Sequence, residues 1–161
     1  MPLAGYPDVA RDRKAFIGRC SVRDREWQLG TGAGFGIFIN EEFVGEVNVS
    51  NIQRGPFQNC DIGYWMDEGH AGNGYMPESL VVLFRFIFEE LGLHRVQISI
   101  IPRNGPSNRV ARKLDLRDEG TAVRYLEING NWEDHVRYAI TSEDWVDKRS
   151  WYLQNWLNAS S

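Results

Sequence analysis

The sequence predicts an α/β domain, a sheet flanked by helices, on three observations. An apolar run (Ile62, Tyr64, Trp65, Met66) passes through Gly69–Ser79, a glycine-paired loop, into a long amphipathic run that begins at Leu80. A β-branched run (Val96, Ile98, Ile100, Ile101) follows that helix and stops at Pro102. Asn129-Gly130 then separates Tyr125–Ile128 from Trp132–Ile140, and Asn-Gly is the strongest short hairpin signal because both positions accept positive φ.

Taken in order, the front of the chain reads as a proline-initiated helix from Pro7 to about Leu29, with Phe16, Ile17, Cys20 and Trp27 as its apolar points. No convincing strand precedes Phe35. The helix after the glycine loop is expected from about Pro77 to Leu91, with Leu80, Phe84, Ile87, Phe88 and Leu91 at core-facing spacing and Gly92 as its stop. Asn104-Gly105-Pro106-Ser107 turns into a second helix through Val110, Ala111 and Leu114, and Gly120 is expected to close that unit. A tail helix from Ser142 to Asn158, capped by Ser142, carries Trp145, Tyr152 and Trp156 on one face. It is expected to pack on its own domain, the alternative being a cover for the sheet edge or a partner surface. The organisation is an N-terminal helical segment (1–34), a core (35–141) and a C-terminal helical tail (142–161) in a single domain.

Composition bounds the function. At 161 residues the chain can bury a full core. Its net charge of −4 argues against broad binding of nucleic acid or of an anionic membrane. Cys20 and Cys60 stand alone, so neither a disulfide framework nor a zinc site is suggested, and reduced thiols in a cytoplasmic setting are expected. No stretch reaches membrane-spanning length, and the start of the chain lacks a signal-peptide pattern. His70, His94 and His135 lack metal-ligand spacing, so no metal is expected; His94 and His135 read as structural imidazoles and His70 as a loop residue.

The loop carries the chemistry. Gly72 and Gly74 let backbone approach a ligand closely, and Pro77 suits a first helical turn. Free N–H groups and the positive end of the helix dipole then form an anion site suited to a pyrophosphate. No Gly-Lys-Ser/Thr follows, which excludes a Walker loop, and the third glycine of a Rossmann fingerprint is missing.

With those segments in order, the chain resembles the GNAT acetyltransferase superfamily, and within it the RimJ/RimL type that acetylates N-terminal amines of ribosomal proteins. The motifs are "AGNGYMPESL", "LHRVQISIIPRNGPSNRVARKL", "EG" and "NGNWEDHVRYAI", spanning roughly Phe35 to Trp145. The resemblance implies a mixed, mostly antiparallel twisted sheet with a splayed central parallel pair, and acetyl-CoA as co-substrate. It also exposes departures. Ala71 stands where the family's loop opens on Gln or Arg, Asp115 and Leu116 replace a Gly-Phe pair, and the family's first strand is missing. Asp115 can take the left-handed conformation that glycine would take.

Acetyl transfer needs the thioester carbonyl held, a proton removed from the ammonium and the leaving thiolate protonated. Positioning supplies most of the acceleration. By resemblance, backbone amides near Trp65 and Met66 would pair with the pantetheine arm, and Gly72, Asn73, Gly74, Tyr75 and Met76 would wrap the pyrophosphate. Asn104 would bond the arm, and Ser107 would protonate the thiolate; the other reading of Ser107 is a helix N-cap. Asp61 is the candidate base, with a bridging water, and its other reading is a salt-bridged strand residue. Glu46 and Glu127 are rivals for that role, while Asp134 and His135 look structural. The expected acceptor is the N-terminal α-amine of a protein, acetylated directly in a ternary complex. The alternatives are a small amine such as an aminoglycoside or polyamine, or a degenerate CoA-binding or assembly module. A homodimer is left open.

Overall fold

The computed structural model describes residues 13–157. Its elements are α1 (Arg13–Leu29), β1 (Ala33–Ile39), β2 (Glu42–Gln53), β3 (Asn59–Met66), α2 (Tyr75–Arg85), β4 (Arg95–Ile100), α3 (Gly105–Lys113), β5 (Arg117–Ile128), β6 (Asn131–Thr141) and α4 (Ser142–Tyr152). Helices α2 and α4 each continue into a π-helical turn, Phe86–Glu90 and Leu153–Leu157. The expected helix start at Pro7, the side chains of Phe16 and Ile17, and Asn158 lie outside the described residues.

All six strands form one sheet in the order β1-β2-β3-β4-β6-β5. Every neighbouring pair is antiparallel except β3 and β4, which run parallel. That pairing is short. It runs only from Asn59 opposite Arg95 to Ile62 opposite Ile98. Beyond Ile62, β3 continues on β2 as far as Met66, and β4 continues on β6 as far as Ile100 opposite Val136. The two central strands therefore part company for the rest of their length, and their facing backbone groups are left without a ladder partner.

The period-2 pattern of the strands sends Val47, Val49, Cys60, Ile62, Val96, Ile98 and Ile140 to one face, where they pack with Leu80, Val81, Phe84 and Ile87 of α2 and its π turn, and with Ala111 of α3. Fully burying such a side chain contributes roughly 1.5–3 kcal/mol. Cys60 belongs to this core; burial, with the adjacent Asp61 carboxylate adding to it, pushes its thiol up to about 12. The opposite face carries Glu46, Asn48, Ser50, Asp61, Gly63 and Trp65, which pair across β2 and β3 in register.

Several boundaries differ from expectation for local reasons. Helix α2 begins at Tyr75, two residues before Pro77, because Gly74 is the N-cap in a left-handed conformation at φ 81°. The tail helix is capped by Thr141 and not by Ser142: Thr141 Oγ1 accepts the Asp144 N–H, and the Asp144 carboxylate accepts the Thr141 N–H at 3.0 Å. Gly120 does not close the α3 unit. It sits inside β5 at φ 97°, where the register with β6 shifts between Asp118 and Thr121. Asp115 ends α3 at φ 52°, and Asn129-Gly130 turn the last hairpin with both φ positive. The sheet starts at Ala33, just ahead of the expected core boundary at 35.

The tail closes its own domain's core. Trp145 and Tyr152 are buried and stack with ring centroids 5.7 Å apart, and the Tyr152 hydroxyl donates to the Leu114 carbonyl at 2.7 Å. Among the described residues no strand precedes β1, and no helix is long and apolar enough to cross a membrane.

Candidate active site

The gap between β3 and β4 opens a cleft of about 710 Å³ that passes between the strands. One end is the loop after β3. A short 3-10 turn, Glu68–His70, leads through Ala71 and Gly72 (φ 82°) to Gly74, and the axis of α2 points its N-terminus at this end. Ala71, Gly72, Gly74, Met76 and Pro77 line it. A side chain at Gly72 or Gly74 would be strained by the positive φ, which is why glycine occupies both. The N–H groups of the first helical turn have no intrahelical acceptor, so they and the positive end of the helix dipole are available to an anion placed there.

The cleft's middle is built by the C-terminal halves of the parted strands. Gly63, Tyr64, Trp65 and Met66 form one wall, and Ile98, Ser99, Ile100 and Ile101 form the other. Across it stands the first turn of α3. Asn104 is that helix's N-cap, and its side-chain oxygen accepts the Ser107 N–H at 3.3 Å. The Ser107 carbonyl accepts the Tyr64 hydroxyl at 3.0 Å, so Ser107 is fixed from both sides, and its side chain also interacts with the Tyr64 phenol. Burial holds the Tyr64 phenol well above its ordinary value, and the phenol remains a proton donor at any working pH. The far end is lined by Arg23, Asn48, Ser50, Leu126, Ile128 and His135.

A parted parallel strand pair with a glycine loop and a helix N-terminus at its mouth is a family arrangement, and the comparisons agree. The Acetyltransferase (GNAT) domain family matches residues 4–117. The chain belongs to the GNAT acetyltransferase family. Its sequence is 40% identical over 112 residues to the Bacillus subtilis (strain 168) protein named "Probable N-acetyltransferase YjcK", covering 68% of this chain and 62% of that one. It is 35% identical over 122 residues to the Escherichia coli (strain K12) [ribosomal protein uS5]-alanine N-acetyltransferase, covering 74% of this chain and 63% of that one. Among solved structures it resembles Mycobacterium smegmatis RimJ in complex with CoA-disulfide, with a TM-score of 0.84 and 30% identity over 96% of this chain and 74% of the other. The chain thus spans just over three-fifths of the length of these curated relatives.

In this GNAT domain the structure brings most of the sequence-predicted site together. Trp65, Met66, Gly72, Gly74, Met76, Asn104 and Ser107 all line the cleft. Asn73 and Tyr75 belong to the loop and first helical residue without lining it, and the Asn73 amide turns back to the His70 carbonyl at 3.3 Å. Ser107 is not the N-cap of α3; that position is Asn104. Asp61 is not among the lining residues. Its carboxylate accepts the Asn51 amide at 3.0 Å and the Gln97 amide at 3.2 Å, on the sheet face away from the helices. Of its rivals, Glu46 accepts the Trp65 indole N–H at 3.2 Å, and Glu127 is exposed on β5; neither lines the cleft. Asp134 is structural, accepting the Arg124 backbone N–H at 2.8 Å.

Sequence reasoning missed Arg23, Arg109, Lys113 and His135 as cleft residues. Arg109 and Lys113 lie one turn apart on α3, a spacing visible in the sequence but common on any exposed helix face. Arg23 arrives from α1, where no local pattern marks it. Among the described residues no group of His, Cys, Asp or Glu is placed to hold a metal ion.

Proposed function

We propose that the domain transfers the acetyl group of acetyl-CoA to an N-terminal α-amine of a protein. The observation that carries the reading is the parting of β3 and β4 beyond Ile62 and Ile98, with the α2 N-terminus at the mouth of the gap. An extended pantetheine arm can pair with the strand edges left open there, and its diphosphate can sit on the first-turn amides of α2. The similar Mycobacterium smegmatis RimJ structure is a complex with CoA-disulfide, which supports the same assignment here. In this reading the strand amides at Trp65 and Met66 polarise the acetyl carbonyl, and the Ser107 hydroxyl protonates the departing thiolate.

Charge favours a protein α-amine over a polyamine or aminoglycoside. The cleft's cations are Arg23, Arg109 and Lys113, and its carboxylate is Glu68, beside the phosphate end. A polycation would meet like charge and little compensation. A single α-ammonium at a chain end carries one charge and meets less of that repulsion. The uS5-alanine and serine acetyltransferase names of the relatives point the same way.

The test is thioester consumption with peptides of differing first residues, the same peptides with blocked N-termini, spermidine and an aminoglycoside. Turnover is expected with free-amine peptides, to be lost on blocking even when an internal lysine remains. Turnover confined to the small polyamines would overturn the acceptor assignment. Thermal stabilisation by acetyl-CoA with no turnover on any acceptor would favour a binding module.

A further inference from the structure

We propose that His135 is the proton acceptor for the amine substrate, an inference that rests on the transfer reading above. His135 lies on β6 and is 3% exposed, yet it lines the cleft. Its successor Val136 pairs with Ile100, so the ring stands beside the end of β4, where that strand has left β3. Leu126 and Ile128 of β5 line the same end.

The hydrogen bonding decides the tautomer. His135 Nδ1 lies 2.9 Å from the Glu133 carbonyl oxygen, which can only accept, so in the neutral ring Nδ1 carries the proton. Nε2 is left with its lone pair and makes no hydrogen bond among the described residues. Ring orientation is held by an edge-to-face contact with Tyr125, centroids 5.8 Å apart. The charged and titratable groups around it are Glu133, paired with Arg103; Asp134, turned to the Arg124 N–H; Tyr125 on β5; and Arg137, stacked over Tyr125 at 5.5 Å. None of them is bonded to Nε2.

Elimination among the cleft's titratable groups leaves the same residue. Arg23, Arg109 and Lys113 are cations and accept no proton. Tyr64 is held protonated, with its hydroxyl donated to Ser107. Glu68 sits in the turn before the phosphate loop, at the opposite end from β6. Asp61 does not line the cleft, and each of its carboxylate oxygens accepts a side-chain amide. A neutral imidazole nitrogen with its lone pair facing the cleft can accept the proton that an α-ammonium must lose to react.

The balance is simple. One proton of the ammonium passes to His135 Nε2 and from there to solvent. The freed nitrogen lone pair forms the C–N bond to the acetyl carbon, and the C–S bond breaks. The second proton, lost from nitrogen as the amide forms, is matched by the proton that ends on sulfur.

The experiment uses His135→Asn, whose amide can still donate to the Glu133 carbonyl, and His135→Ala with added imidazole. The expected result is acetyl-CoA affinity by calorimetry within twofold of the parent and kcat lower by about 100-fold or more. The acidic limb of the kcat–pH profile should disappear in His135→Asn, and imidazole should restore His135→Ala in proportion to its neutral fraction. A purely structural ring would lower the melting temperature and leave the pH profile in place. A His135→Asn enzyme with an unaltered profile, or with kcat within threefold of the parent, overturns the proposal. A parent protein that binds acetyl-CoA but acetylates no amine overturns the transfer reading itself, and the base role with it, so the two failures are told apart by the parent's own turnover.

Discussion

Ser107 shows how a single residue can be held without being used. Its N–H donates to Asn104 and its carbonyl accepts from Tyr64, both through the backbone, so replacing the side chain leaves those two bonds in place. Ser107→Ala should therefore leave stability within about 0.5 kcal/mol, the usual range for substitutions that break no packing or network. It should leave acetyl-CoA affinity unchanged and lower kcat by roughly 10–100-fold, at the low end for a general acid because a thiolate is a good leaving group. Calorimetric binding beside steady-state kinetics checks this, and an unchanged kcat would remove the hydroxyl from the reaction. The family resemblance pointed to Ser107, and its other reading as the helix N-cap fails because Asn104, whose side chain suits a cap equally well, holds that position. Asp61 illustrates the converse limit. A carboxylate on a strand is one residue from the opposite face, and here it is turned to Asn51 and Gln97, away from the cleft lining.

At the scale of elements, legibility followed the strength of local signals. The Asn129-Gly130 hairpin was readable because that turn demands positive φ at both positions, and the amphipathic α2 because six of its residues are buried. The cap of α4 was misplaced by one residue, since Thr141 and Ser142 offer the same hydroxyl and only the capping box with Asp144 separates them. Long-range ion pairs carry no local signal at all. Glu89, on the π turn of α2, accepts from Arg85 at 3.0 Å and from Arg149 of α4 at 2.5 Å, which ties the two helices together. The Arg149 hydrogen bond, more than the opposing partial burial, holds the Glu89 carboxyl below its usual range. A carboxylate whose folded pKa is depressed contributes stability above its unfolded pKa, about 4.3, and loses it as pH falls through the lower folded value. Arg149→Gln should cost about 0.2–1 kcal/mol at neutral pH in denaturant unfolding, in the range of solvent-accessible pairs. The difference from the parent should shrink as pH falls below about 4.3 and vanish once pH is below the depressed folded value, and a pH-independent cost would assign Arg149 a packing role instead.

For the whole molecule, the sheet and the cleft are one fact. Because β3 and β4 pair over only four residues each, the opening lies where two antiparallel halves, β1-β2-β3 and β4-β6-β5, diverge. Family motifs made the glycine-loop side of that opening legible, but the far end is assembled from α1, β2, β5 and β6, and residues so distant in sequence leave no shared pattern; hence Arg23 and His135 went unseen as cleft residues. The two ends also divide the binding energy in a measurable way. Anion capture by the α2 amides and by the cations of α3 should depend on the diphosphate, whereas pairing along the strand edges should depend on the pantetheine arm alone. A ligand present at 100 times its dissociation constant stabilises the folded state by about 2.7 kcal/mol, and for a chain of this length each kcal/mol moves the melting temperature by roughly 2–4 °C. Acetyl-CoA at that excess should thus raise the melting temperature by about 5–11 °C. S-acetyl-pantetheine at the same concentration, lacking the phosphates, should raise it by a small fraction of that, and the acetyl-CoA shift should shrink as salt is added while the pantetheine shift holds. Equal shifts from the two compounds would mean that the glycine loop and helix N-terminus do not hold the diphosphate.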